Sequence, residues 1–248
     1  TRNKYGAPNT VVGQKFATKI VSGDQGRLII ASSIASGDEG TVSVLRRKFN
    51  TNITSLSPVQ GFALSDNPLD DLVTGTPEFG SSLALSGTDN TMAVGAPRAN
   101  NPKIAINDDP NNKFFKVSLL NSVVRPSVRE GVVKLLEYDT ASNLFVTKYI
   151  LACPDVNNDA NFGYSLAVSD NRLVVGAPGV TNSQGKVYIY TKSVQQDGST
   201  VDWQLSSAMP ELHLGVDAQD GDRFGETIAA TKDMELIAVG VPNAEVSN

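Results

Sequence analysis

Asp155-Val156-Asn157-Asn158-Asp159 places side-chain oxygens at i, i+2 and i+4, the spacing that opens an EF-hand calcium loop. Asp217, Asp220 and Asp222 form a second acidic turn at the equivalent place ahead of Phe224. Calcium needs roughly six to eight oxygens, and the bidentate Glu that would complete the first loop is absent. Calcium is therefore a candidate cofactor at Asp155, Asn157 and Asp159 and at Asp217, Asp220 and Asp222. The alternative is a pair of polar turns whose Asp and Asn side chains bond their own backbone. Other chemistry is thin. His213, the sole histidine, cannot build a multi-His metal site, and its neighbours Leu212 and Leu214 suggest a strand. Gly163-Tyr164-Ser165-Leu166-Ala167 lacks the last glycine of a Gly-x-Ser-x-Gly nucleophile elbow and has no strand-to-helix turn around it. Cys153 is the single cysteine, which excludes an intrachain disulfide and reads as a small buried apolar residue. There is no phosphate-cradling loop, cysteine pair or dinucleotide fingerprint. These residues predict a chain that is not an enzyme.

The elements that hold these residues repeat. Phe162-Gly163-Tyr164-Ser165-Leu166-Ala167-Val168-Ser169 is followed by Arg172-Leu173-Val174-Val175-Gly176-Ala177-Pro178. The same order recurs from Phe79-Gly80 to Gly95-Ala96-Pro97 and from Phe224-Gly225 to Gly240-Val241-Pro242. A degenerate copy runs from Phe16-Ala17 to Ala31-Ser32-Ser33. The leading phenylalanines stand 63, 83 and 62 residues apart. The long middle interval holds an insertion of about 27 residues, 102–129. Each unit reads as four short strands. Leu166-Ala167-Val168 is a tight first strand, and Leu173-Val174-Val175 is apolar throughout and suits burial on both faces. Lys186-Val187-Tyr188-Ile189-Tyr190 carries the strongest strand chemistry, and fourth strands follow at 144–150 and near Trp203. No segment has a long helical period. Four strands per unit of about 60 residues is the size of a propeller blade. The expected fold is all-β, a β-propeller of four-stranded blades. Repeat 1 covers about 13–78, repeat 2 about 79–161, repeat 3 about 162–223, and an incomplete repeat 4 about 224–248. About three and a half blades are present. A ring has to close, so this count predicts part of a larger propeller whose remaining blades come from the same chain or another.

The paired Phe-Gly and Gly-Ala-Pro motifs resemble the FG-GAP repeat family, found in the propellers of integrin α-subunits and in extracellular proteins of microbes and algae. The match is intact in repeats 2 and 3. Gly240-Val241-Pro242 departs from it in repeat 4, and both motifs are altered in repeat 1. The Asp-rich lead-in to Phe224-Gly225 is similar to the microbial and algal branch. Calcium-binding members carry an Asp-x-Asp-x-Asp-Gly loop between the first and second strands. Here those loops are Ser22–Gly26, Ser86–Asn90, Ser169–Asn171 and Thr231–Asp233, and none supplies enough oxygens, so those calcium sites do not carry over. The resemblance implies an extracellular or cell-surface protein that serves as an interaction, adhesion or structural scaffold. A carbohydrate-binding propeller, or a non-catalytic propeller domain of a larger secreted hydrolase, is the alternative.

Composition fits this reading. The chain has 248 residues, is 40% hydrophobic and 19% charged, and has a net charge of −5, which argues against a nucleic-acid partner. No stretch reaches the ~18 apolar residues of a membrane span. The first residue is not Met, so the start reads as a processed terminus or a cut inside a longer protein. Asn52-Ile53-Thr54 is a glycosylation sequon, which matters on a secreted chain. Within the insertion, Phe114 and Phe115 begin an apolar run that suggests a binding surface for a protein partner. Glycans are the other candidate partners.

Overall fold

The computed structural model describes residues 19–23, 27–32, 40–50, 53–63, 78–100, 129–155, 159–194, 201–210 and 219–245. Asn52, Phe114, Phe115, Asn157, His213 and Asp217 lie outside them. The described residues form three four-stranded antiparallel sheets and one two-stranded sheet, each built in chain order. The first contains β1 (Lys19–Ser22), β2 (Arg27–Ser32), β3 (Thr41–Asn50) and β4 (Ile53–Ala63). The second contains β5 (Ser82–Leu85), β6 (Thr91–Ala96), β7 (Val132–Asp139) and β8 (Leu144–Ala152). In the third, β9 (Ser165–Val168) and β10 (Arg172–Ala177) are followed by a short turn, α1 (Val180–Ser183), whose Thr181, Asn182 and Ser183 have positive φ, and then by β11 (Lys186–Val194) and β12 (Val201–Pro210). β13 (Thr227–Ala230) and β14 (Ile237–Gly240) pair as the fourth sheet. The innermost strands lie side by side, β5 between β1 and β9, and β13 against β9. These are blades of a β-propeller, three with four strands and one with two.

The apolar runs of β6 and β10 are buried on both sides because their blades are sandwiched. In β6, Met92 and Val94 face Val42 and Val44 of the first blade, while Ala93 joins the cluster shared with the third blade. In β10, Val174 packs with Phe224 of the fourth blade, while Leu173 and Val175 turn back toward the second. Alternation with period two thus feeds two cores from one strand. The outer strands carry a feature that the sequence pattern does not announce. The register slips by one residue at Val44/Leu45, Leu135/Leu136 and Ile189/Tyr190, leaving Val59, Lys148 and Ser206 as extra residues on β4, β8 and β12. A bulge of this kind increases local twist and blunts an edge. It also accommodates Pro58 in β4, which has no N–H to give a ladder.

The repeat motifs join one blade to the next. The N–H of the glycine in each Phe-Gly pair donates to the glycine carbonyl of Gly-Ala/Val-Pro in its own blade: Gly80 to Gly95 at 2.9 Å, Gly163 to Gly176 at 3.0 Å and Gly225 to Gly240 at 3.1 Å. The carbonyl of that Phe-Gly glycine accepts a serine hydroxyl from the blade before, Ser82 to Gly163 at 2.5 Å and Ser165 to Gly225 at 2.6 Å. A Cβ on Gly95 or Gly176 would collide with that carbonyl oxygen, so the backbones meet only because these residues are glycine. Phenylalanine N–H groups bond backward as well, Phe162 to Glu130 O at 2.7 Å and Phe224 to Gln184 O at 2.8 Å. Farther out, the Gln60 amide bridges blades by exchanging two hydrogen bonds with the Phe145 backbone. Glu137 of the second blade accepts from Lys192 at 2.7 Å and from Trp203 Nε1 at 3.4 Å in the third.

Candidate functional site

The candidate calcium turns hold their carboxylates apart. Asp155 accepts the Tyr188 hydroxyl at 2.9 Å and forms an ion pair with Lys186. Asp159, exposed and with φ of 59°, faces Arg129 at 3.6 Å. In the second turn, Asp220 accepts from Gln184 at 3.1 Å and from Asn182 at 3.3 Å, both on the turn around α1. Asp222 is 4% exposed and accepts the Gln219 backbone N–H at 2.7 Å. Each described carboxylate is thus engaged by its own protein donors, the pattern of polar turns that pin neighbouring blades. Among the described residues, no three His, Cys, Asp or Glu side chains gather as a metal-binding group.

The three described hairpins between first and second strands, where the family's calcium loops would stand, are closed by a hydroxyl. Ser86 Oγ accepts from Thr91 N at 3.0 Å, Ser169 Oγ from Arg172 N at 3.0 Å and Thr231 Oγ1 from Leu236 N at 3.2 Å. Thr88 Oγ1 donates to Asp170 at 2.6 Å, tying adjacent hairpins together.

Cys153 is buried beside the Tyr188 hydroxyl, with Sγ to O 3.5 Å. Burial dominates its titration and pushes the thiol up to about 12, with the Tyr188 contact opposing more weakly. Burial likewise raises Tyr188 and Tyr190. Because the thiolate is the nucleophile, the folded protein is expected to resist iodoacetamide at pH 8, with alkylation of Cys153 appearing only on unfolding. The sign of the pH effect follows. An unfolded thiol ionises near ~8.5, so above that pH the unfolded chain binds fewer protons than the folded one. The contribution of Cys153 to stability is full below ~8.5 and is lost as the pH rises toward 12. Rapid alkylation of native protein would contradict this assignment.

Two cavities lie along the innermost strands and meet at a waist of Leu83, Leu166 and Ile228. One, of about 350 Å³, opens at the hairpin end beside Gly87, Asp89 and Lys232. The other, of about 500 Å³, opens at the Phe-Gly end and is walled by Lys19, Glu78, Ser81, Tyr164, Glu226 and Thr227. Three of these, Ser81, Tyr164 and Glu226, occupy the same place in successive repeats, directly after Phe-Gly. Each is fixed by the same tight turn, its N–H donating three residues back: Ser81 to Glu78 O at 3.0 Å, Tyr164 to Asn161 O at 3.1 Å and Glu226 to Arg223 O at 3.1 Å. Glu78, Asn161 and Arg223 all have positive φ. The Arg223 guanidinium lies 5.7 Å from the Tyr164 ring centre and also pairs with Glu226. Arg98 pairs with Glu78 at 3.0 Å. The repeated motif does not single out these residues because they are the ones that change from repeat to repeat. That change within an otherwise constant Phe-Gly-x-Ser/Thr frame was the available signal.

The residues that flank the insertion are bonded to one another. Gly131 N donates to Ala99 O at 2.9 Å and Arg129 N to Asn100 Oδ1 at 3.1 Å. In the third blade, the corresponding bond, Gly185 N to Val180 O at 3.0 Å, closes the short turn through α1.

No curated protein matches the chain. Residues 147–190, from the outer strand of the second blade through the first part of β11, match the FG-GAP repeat. Such repeats are associated with integrin-like extracellular protein interaction. Among the described residues, no helix is long and apolar enough to cross a membrane. The motif geometry, repeated within three blades, and the family match over one of them show an FG-GAP repeat at residues 147–190.

Proposed function

We propose that the chain is a non-enzymatic extracellular interaction module, a rigid scaffold in an adhesive or structural surface protein. The observation that carries this reading is the use made of the motif residues. Their glycines, serines and backbone N–H groups are committed to bonds between and within blades, which leaves loops and variable positions for recognition. The two groups nearest to a nucleophile are committed too. Ser165 Oγ donates to Gly225 O, and Cys153 is buried and protonated. The bonded flanks of the insertion support display of a segment from a fixed base. Among the described residues β14 pairs only with β13, whereas β6 and β10 each carry a third strand; a further blade strand fits that edge.

The test is biolayer interferometry of the whole chain against a panel of purified extracellular-matrix and cell-surface proteins. The comparison is a variant whose residues 101–128 are replaced by the short turn of the third blade. Saturable binding that weakens tenfold or more in the variant, at unchanged melting temperature, is the expected result. A panel without a binder, or turnover of chromogenic ester, glycoside or peptide substrates, sinks the reading.

A further inference from the structure

We propose that the cavity at the Phe-Gly end of the inner strands is a binding site for a neutral saccharide, selected by the residue that follows each Phe-Gly. This goes beyond the protein-interaction reading and stands or fails separately from it.

The argument starts from division of labour within the motif. In Phe-Gly-x-Ser/Thr, the phenylalanine fills the core between blades, and the glycine bonds across and within blades. The serine, where it is Ser82 or Ser165, donates to the next blade. Only x has no part in the frame, yet its backbone is held by the same turn each time. A rigid frame that displays a hydroxyl at Ser81, a phenol ring at Tyr164 and a carboxylate at Glu226 around one opening is a preorganised recognition surface. The opening, of about 500 Å³, is the size of a small-molecule site.

The chemistry of the wall selects the ligand class. Tyr164 is 40% exposed; Arg223, itself paired with Glu226, lies over one face of its ring and leaves the other for a ligand. An aromatic face of this kind takes the C–H face of a sugar ring. Glu226 and Glu78 offer acceptors for sugar hydroxyls, but Arg223 and Arg98 already balance their charges. A cationic ligand would have to displace an arginine, whereas a neutral polyol adds hydrogen bonds without doing so. Ser81 Oγ is buried in the wall without a hydrogen-bond partner, and Lys19 and Thr227 also line the cavity. Below them, the waist of Leu83, Leu166 and Ile228 is apolar and suits the ring carbons.

The test is saturation-transfer NMR on the whole chain with lactose, mannobiose, cellobiose and chitobiose, each at millimolar concentration. A lysine-containing tripeptide serves as the cationic comparison. At least one disaccharide is expected to bind. Tyr164→Ala is expected to weaken it about tenfold or more, and Tyr164→Phe to retain the stacking and most of the affinity. Glu226→Gln, nearly isosteric, is expected to weaken it severalfold and carries the test should Tyr164→Ala lower the melting temperature. The proposal is overturned if none of the disaccharides binds, if binding is unchanged in both Tyr164→Ala and Glu226→Gln, or if only the peptide binds in a Tyr164-dependent way.

Discussion

Gly131→Ala is expected to destabilise the protein by about 2–5 kcal/mol, because two independent costs fall on one methyl group. Gly131 directly precedes the third strand of its blade and has φ of 87°, a conformation that L-residues resist. An added Cβ would also be driven into the Phe162 carbonyl, whose own N–H is bonded to Glu130 O at 2.7 Å. That oxygen belongs to backbone held on both sides, so it has little room to yield. Two other glycines separate the costs. Gly221 has φ of 94° but open space around it, so Gly221→Ala should show the backbone cost alone, about 1–2 kcal/mol. Gly61 has neither constraint, and Gly61→Ala should be within about 1 kcal/mol of neutral. Urea midpoints for the three variants at a constant m-value would show this order. If Gly131→Ala is no worse than Gly221→Ala, the close approach of the blades at this junction is wrong.

Phe162→Ala should cost about 3–5 kcal/mol. The ring is fully buried between the second and third blades, edge-on to Tyr188 at 5.5 Å and to Tyr190 at 6.4 Å. Its removal leaves a cavity walled by residues of both blades, which cannot both collapse into it while the Gly163 junction holds them in register. The aromatic contacts add to the loss, so Phe162→Leu should recover part of it but not all. Tyr164, two residues on, is a control from the same motif. It is partly exposed, and Arg223 stacks over its ring, so Tyr164→Ala should cost no more than about 1 kcal/mol. Equal losses at Phe162 and Tyr164, in thermal or urea unfolding, would mean that the phenylalanine does not key the blades together.

The blade plan was legible because local pattern and tertiary role agree at particular residues. Leu173-Val174-Val175 reads as a strand buried on both faces, and it is, with successive side chains feeding the clusters on either side. Lys186 to Tyr190 reads as a strand for its β-branched and aromatic residues and forms the centre of the third sheet. Four strands per unit implied a fourth strand in the first blade without placing it; Ile53–Ala63 forms it at the sheet edge, where Pro58 and Gly61 interrupt the alternating pattern. The acidic turns were found by spacing, but spacing does not show what stands opposite. Asp155 faces Lys186 and Tyr188, which are distant in sequence.

The amino-acid sequence sufficed for the all-β class, the four-stranded blade and the burial of Cys153. Each follows from periodicity or residue type within one stretch of chain. The junction chemistry and the cavity at the Phe-Gly end arise only when blades pack. Ser82 reaches a carbonyl 81 residues away, and Ser81, Tyr164 and Glu226 share an opening because three copies of one turn converge on the inner strands. Contacts of that range depend on how one blade sits against the next, a relation that no single repeat contains.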